Sequence, residues 1–474
     1  MKKIFVTLAV LVGFAMQALA YDFEVDGIYY NLLLYTGNQE VQVTHCAQPG
    51  WNCYSGDVII PEIITYEGDS YTVTAIGMFA FKGCVDLTSV TIPSSLRSIG
   101  GSAFLGCTAL YDIHIPNTVE KVDASAFKNT GWYNNQPDGF PLYLDGWCLG
   151  FKEKMPLVEL TIDEGTIKLA NGAFYEYETL VSVTLPNSLI SIGTHTFAFC
   201  TELRDVDWGG SIQVIGRSAF YSCSSLEDFM LPESVIEIGE WAFCGCRNLY
   251  HLNLPNSITT LGEYAFDECS NLTEVILPSG LTEIADGLFD QAGLKSITIP
   301  NGVTNIGALA FFACEGLESA VIPASVTEIG NHAFVCPNMD TVTCLGGIPA
   351  SLYGNTVTSF EVPENCCLIV PCGSAETYSN SRWGEVFTNI VEDCHGIDET
   401  AETISVFPNP AQHFVRVEGI TAREIQCYNG LGQLVKTVQN SNEISVEDLS
   451  EGVYLLRITD GEGNNRVARV AVSR

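Results

Sequence analysis

The 474-residue chain is 47% hydrophobic, carries 18 cysteines and has a formal net charge of −35. Residues 401–474 hold nine acidic and seven basic side chains, and Lys2 and Lys3 are basic, so the whole acidic surplus lies in residues 21–400. Such a surface repels phosphate backbones and anionic lipid headgroups, which argues against nucleic acid and direct membrane insertion; the apolar content argues against a disordered chain.

Residues 1–20 read as a signal peptide. Lys2 and Lys3 open it, residues 4–16 are apolar, and Ala18, Leu19 and Ala20 supply a small-residue cleavage site before Tyr21. No cysteine lies near the cut to carry a lipid, and no later segment reaches the ~18 continuous apolar residues of a membrane helix. The mature protein is expected to be exported and soluble. Residues 21–75 alternate apolar and polar positions between Gly and Pro, as at residues 58–60 and 71–74, which predicts a short-stranded N-terminal β cap.

Residues 76–345 are periodic. Phe81, Phe104 and Phe127 stand 23 residues apart, and the interval returns at Phe174, Phe197, Phe220, Phe243, Phe266 and Phe289. Phe311 and Phe334 continue the series after a one-residue slip. Ile-Gly, two variable residues and a small residue precede each anchor, and a Leu-x-x-Val/Ile-x-Ile/Leu-Pro run follows, as in residues 87–93 and 180–186. A unit of about 23 residues cannot bury its own apolar face, so units must stack and share one core. The fold class expected is a repeat solenoid of parallel β-strands with short helical turns. Within one unit Leu87, Val90 and Ile92 point inward, Pro93 ends the strand, Ile99 and Gly100 begin the return, and Ala103 and Phe104 form the helical side.

Cysteine phase carries a second expectation. Cys84, Cys107, Cys200, Cys223, Cys246, Cys269 and Cys314 all fall three residues after an anchor. A constant slot predicts a column of buried thiols rather than bridges, whose geometry is exacting. The disulfide candidates are off-phase: Cys46 with Cys53, and pairs among Cys336, Cys344, Cys366, Cys367, Cys372 and Cys394.

The 47-residue interval between Phe127 and Phe174 lacks its middle anchor, and residues 130–151, with a turn at Pro137, Asp138 and Gly139, predict a hairpin in its place. Its aromatics Trp132, Tyr133, Phe140, Tyr143 and Trp147 either pack onto neighbouring rungs or offer a protein or glycan contact. Residues 346–394 read as a C-terminal cap that leads into a short helix, and residues 395–400 as a polar linker. In residues 401–474 the period vanishes. Short alternating segments at 404–407, 414–417, 424–428, 434–438, 453–458 and 466–472 predict a small β-sandwich.

Stacked parallel strands lie ~4.8 Å apart, so the positions flanking each central Val or Ile form two outward columns on a continuous sheet. The candidate ligand-binding residues on this face are Asp112, His114, Glu159, Asp205, Asp207, Asp228, His251 and Glu274. Five of them, Asp205 to Glu274, occupy four successive rungs. They form either a contact zone for a basic patch on a protein partner or an ordinary solvated face. Asp205, Asp207 and Asp228 offer oxygens to Ca²⁺, but a flat strand face lacks the carbonyls of a tight loop. Cys366, Cys367, Cys372, Cys394 and His395 offer zinc donors, against which stand cap disulfides in an oxidising location. No metal or cofactor is expected. No Gly-x-Ser-x-Gly elbow, His-Glu-x-x-His pair or Gly-x-x-x-x-Gly-Lys loop occurs. A flat sheet also lacks a water-excluding cleft, so no enzymatic activity is expected.

The unit Leu-x-x-Val-x-Ile-Pro followed by Ile-Gly-x-x-Ala-Phe-x-x-Cys resembles the BspA-like leucine-rich repeats of bacterial surface proteins, over roughly residues 76–345. The resemblance implies a leucine-rich-repeat solenoid on the surface of a host-associated bacterium. It also implies attachment to a host extracellular or cell-surface protein, with glycan or nutrient capture as the alternative. Residues 401–474 resemble the C-terminal sorting domain of the type IX secretion system. The residues that carry this are Val406 to Pro410, Gly430 to Gln433, Gly452 to Tyr454, and the basic strand with Arg466 and Arg469. That resemblance implies engagement of the type IX machinery, passage across the outer membrane, removal of the tail and attachment of the remainder to the cell surface, for a cell-surface or extracellular location.

Overall fold

The computed structural model describes residues 21–34, 37, 39–46, 52–353 and 359–394, and in the tail 405–407, 411, 413–418, 421–429, 434–450, 452–461 and 465–472. The signal peptide and the 395–400 linker expected from sequence lie outside the described residues. Two compact units emerge: residues up to 370 together with 376–391, and residues 371–375 together with 392–474. No helix among the described residues is long and apolar enough to cross a membrane.

The repeats stack as a solenoid with three kinds of side. The first carries the outward columns on strands such as Glu159–Thr161, Ser182–Thr184 and Asp205–Asp207, which pair parallel with Glu159 beside Ser182 beside Asp205. Their central Leu160, Val183 and Val206 are buried, as the period-two reading requires. The second side is built from two-residue strands ahead of each Gly. Lys168–Leu169, Ser191–Ile192, Val214–Ile215, Glu237–Ile238 and Thr260–Leu261 run on as one parallel sheet.

The third side bears the anchors, and it is a stack of single turns. Ala219 donates to the Gly216 carbonyl and Cys223 to the Phe220 carbonyl, each spanning three residues. Ser218 and Ser222, flanking that anchor, both have left-handed backbone (φ 51° and 57°), which stops the turn from propagating as a helix. Backbone groups freed in this way bond to the next rung instead. The N–H of Phe197 donates to Ala219 O at 2.8 Å, that of Phe220 to Ala242 O at 2.8 Å and that of Phe243 to Ala265 O at 2.9 Å.

Inside, the anchors form a column of stacked rings. Phe197, Phe220, Phe243, Phe266 and Phe289 are completely buried, and centroids of successive rings lie 5.3 Å, 5.6 Å and 5.7 Å apart from Phe220 to Phe289. Each buried ring is worth ~3–5 kcal/mol by truncation to Ala. Tyr54 closes the N-terminal end at 4.6 Å from Phe81. At the other end Phe360 stacks on Phe334 at 4.8 Å, and Trp383 covers Phe360 at 5.0 Å.

The phased cysteines are free and buried. Their thiols donate to the carbonyl of the anchor one rung earlier: Cys107 to Phe81 at 2.9 Å, Cys223 to Phe197 at 3.1 Å and Cys314 to Phe289 at 3.0 Å. The Phe81 and Phe197 carbonyls already accept one N–H from their own turn, from Cys84 and Cys200, so there the S–H fills a second lone pair. Disulfides join Cys46 to Cys53 and Cys372 to Cys394, whereas Cys336, Cys344, Cys366 and Cys367 remain thiols.

The one-residue slip falls in the turn after Phe289. Gly293 there approaches the preceding turn so closely that a Cβ would stand 2.2 Å from Ser270 O. In the 130–151 segment, a short helix Gly131–Asn134 capped by the Thr130 hydroxyl precedes a hairpin of Pro141–Leu144 and Trp147–Phe151. Its turn is Asp145-Gly146, both left-handed, and not the expected Pro137-Asp138-Gly139. The missing middle anchor is Phe151, one full period before Phe174 but edge-on to it at 73°. Gly150 permits this crossing, because a Cβ there would fall 2.1 Å from Ala173 O.

The tail is a sandwich of two antiparallel sheets. One holds Ser405–Phe407, Phe414–Glu418 and Glu443–Ser445; the other holds Leu434–Gln439, Ala422–Tyr428, Gly452–Asp460 and Asn465–Val472. Val415, Ile425, Cys427, Ile444, Leu456 and Ile458 fill its core. The strand Glu443–Ser445 was not among the sequence expectations.

Candidate binding surface

Among the eight residues singled out on the strand side, Glu159, Asp205 and Asp207 stand as expected on one hydrogen-bonded sheet. All three are exposed, with Ser182 between Glu159 and Asp205 and with Thr184 beside Asp207. His251 and Glu274 are likewise exposed and directly paired across the strands His251–Asn253 and Glu274–Ile276.

The continuous sheet expected through all of them is not formed. Residues 112–114 make no strand, and the β-pairing of the 228–230 rung with its neighbour is reduced to the isolated Met230–Asn253 bridge. Asp228 is the reason at the second break. Its Oδ1 accepts the backbone N–H of Tyr250 at 2.7 Å and of His251 at 2.9 Å, and its Oδ2 contacts His251 Nδ1 at 2.8 Å. The carboxylate thus takes donors that other rungs give to a main-chain carbonyl, as Arg204 does to Val181. Partial burial raises the Asp228 pKa, but the hydrogen bonds from His251 and Tyr250 outweigh it and leave the carboxyl below the ordinary range. Asp228 is therefore a clamp between rungs, its Oδ1 shared by two backbone donors while the side chain stays exposed.

Asp112 and His114 depart for a related reason. The hairpin interrupts the stack beyond their rung, and Asp145 from its turn accepts the Ile115 N–H at 2.7 Å and approaches His114 Nδ1 at 3.6 Å. The aromatics of this insert are mostly engaged. Tyr133 and Trp147 are buried, the Tyr133 hydroxyl donates to Lys152 O, and the Tyr143 hydroxyl accepts from Asp163. Phe140 stays exposed.

Possible metal donors do not converge on the strand side. Among the described residues the one cluster with suitable donors is Cys372, Glu392 and Cys394, and its two cysteines are already bonded to each other.

A deeper feature lies on the turn side, where sequence reading placed nothing. A groove of about 710 Å³ runs past Tyr175, Phe199, Tyr221 and Trp241, with Ser218 and Cys244 as its buried floor and Asp267 and Glu268 at one end. Oδ1 of Asp267 and Oδ1 of Asp290, one rung on, are buried and accept no hydrogen bond. Burial, together with the neighbouring Asp267 charge, pushes the Asp290 carboxyl up to about 6. Asp267 is also raised, first by burial, with Glu268 adding repulsion. A signal for this groove exists in the sequence. The position after each anchor reads Tyr175, Ala198, Tyr221, Cys244, Asp267 and Asp290, so one column passes from tyrosines with a small residue between them, through Cys244, to carboxylates.

Comparisons with known proteins agree with this architecture. The BspA type leucine rich repeat region matches residues 60–135, 150–273 and 259–366, in six copies. A secretion system C-terminal sorting domain matches residues 405–473, which supports an exported or surface location. No curated protein matches the chain. Among solved structures, a leucine-rich repeat protein from Bacteroides ovatus is 26% identical, with 79% of this chain and 100% of that one covered and a TM-score of 0.39. The T. pallidum leucine rich repeat protein is 27% identical over 49% of this chain and 92% of its own, with a TM-score of 0.32. The pneumococcal vaccine antigen PcpA is 16% identical over 79% and 99%, with a TM-score of 0.34. With more than half of its length matched by the repeat, the chain belongs to the BspA type leucine rich repeat family.

Proposed function

We propose that this is a surface or secreted adhesin whose solenoid binds a protein of a host or of another cell without chemistry. Residues 401–474 would deliver it through the type IX secretion system. The observation that carries the reading is the acidic lattice of Glu159, Asp205 and Asp207, held exposed in register by backbone hydrogen bonds. Charges set at sheet spacing complement a basic patch with no backbone ordering cost on this side of the interface. Capture of a glycan or nutrient is the second reading, and the exposed Phe140 beside the hairpin is what favours it.

The test uses the full mature chain against host matrix proteins and intact cells. Reversing Glu159, Asp205 and Asp207 to Lys should weaken protein binding by roughly tenfold or more. Unchanged affinity would remove the strand side from the reading. Binding confined to a glycan array would favour the second reading, and turnover of a polysaccharide would overturn the non-catalytic one.

A further inference from the structure

The turn-side groove combines features with one chemical occupant in common. We propose that it holds a basic side chain, a lysine ammonium or arginine guanidinium, presented by the protein partner. This deepens the protein-binding reading and rests on it, but it concerns the opposite kind of surface and different residues.

Charge is the first argument. Among the described residues neither Asp267 nor Asp290 joins an ion pair, although both carboxyls sit close together with Glu268 in a chain of net charge −35. The basic groups nearby are accounted for: Arg247 pairs with Glu268, Arg217 pairs with Glu240 at 3.0 Å, and His195 on the groove wall is held below the ordinary imidazole range by burial and by Arg217. A cation entering from outside would relieve the repulsion between Asp267 and Asp290, which the Arg247–Glu268 pair does not reach directly.

Ring geometry is the second argument, and it separates a cation from a sugar. Tyr175 and Phe199 meet edge to face at 81°, and Phe199 and Tyr221 at 65°, so the walls turn toward different directions. A pyranose needs one flat open ring, whereas a cation is stabilised by several ring faces around it. Trp241 is not open for stacking, since Tyr264 stacks on it at 5.9 Å and 26° and the Arg217 guanidinium sits over its ring at 4.4 Å. That last contact also shows a groove aromatic already accepting a guanidinium from within the chain. The groove has room for a long side chain together with the segment that presents it, with the apolar stem along Phe199 and the charged head toward Asp267.

Saturation-transfer NMR on the full mature chain tests this with four probes: N-acetyl-lysine amide, N-acetyl-arginine amide, the neutral N-acetyl-norleucine amide, and maltotetraose. The two cations should bind saturably, and the neutral amide roughly tenfold more weakly. Asp267→Asn should weaken the cations by a similar factor, and Tyr175→Leu, on an exposed wall, should weaken them without touching the buried carboxyls. Glu328→Gln, which removes an exposed carboxylate outside both surfaces, should bind the probes as the parent does. Equal binding of norleucine amide, preference for maltotetraose, or cation binding that survives both groove substitutions would overturn the proposal. Because the probes are free amino-acid derivatives, their failure leaves the strand-side result standing, and failure of the strand-side reversal leaves theirs.

Discussion

The strand side and the turn side share one 23-residue period, yet they differ in continuity and depth. From Phe174 to Phe334 every anchor passes its N–H to the following rung on the turn side. Over the same stretch the strand side breaks at residues 228–230, and the strands Glu274–Ile276 and Ser296–Thr298 fall in different sheets. Among the described residues it is the turn side that has a groove with aromatic walls and, at one end, a carboxylate whose Oδ1 is buried without a hydrogen bond. A repeat period therefore fixes which residues align, while variable side chains decide whether the aligned backbone bonds and whether a hollow remains.

The largest expected effect lies where both sides depend on the same core. Phe220→Ala should cost ~3–5 kcal/mol in chemical denaturation, because the ring is fully buried between two stacked neighbours. A loss under ~1 kcal/mol would mean that rungs are held by backbone ladders alone, and the two sides could then be treated as independent.

A middle-sized effect should belong to the turn side alone. The Asp290 carboxyl stands at about 6 in the folded chain, against ~3.9 for an ordinary aspartate. The folded state thus favours the protonated form. Its stabilising share is complete below about pH 4 and is lost as pH rises through about 6. Asp290→Asn, which mimics the neutral acid, should be more stable than the parent at pH 7.5 by on the order of 2 kcal/mol, with the gap closing by pH 4. Urea midpoints at the two pH values measure it. A pH-independent gap would mean that Asp290 is ionised throughout.

The smallest effect should fall on the strand side. Asp205→Lys with Asp207→Lys should change stability by no more than about 0.5 kcal/mol, since both side chains are exposed and neither bonds to another rung among the described residues. A larger loss would show that these carboxylates brace the stack as Asp228 does.

The period, the buried anchors and the thiol column were legible because each recurs at one phase and has one physical reason to do so. Glu159, Asp205 and Asp207 were legible for the same reason. Asp228 was not: its column position matches that of Asp205, and only the coordinates show the carboxylate turned onto the next rung's N–H groups. Phe151 was missed as an anchor because it sits on a hairpin strand without the usual Ala before it. The groove was missed because hollows arise from differences between repeats, and alignment by period emphasises what repeats share.

The cysteine column has a practical consequence. Burial pushes Cys107 and Cys200 up to about 12 and raises Cys223, Cys246 and Cys269 well above the ordinary thiol range, so a closed rung is inert to alkylation. A rung that opens releases its own sulfur. The chain thus contains a built-in footprinting scale, on which the order of labelling by a maleimide reports where detachment begins and how far it spreads along the axis.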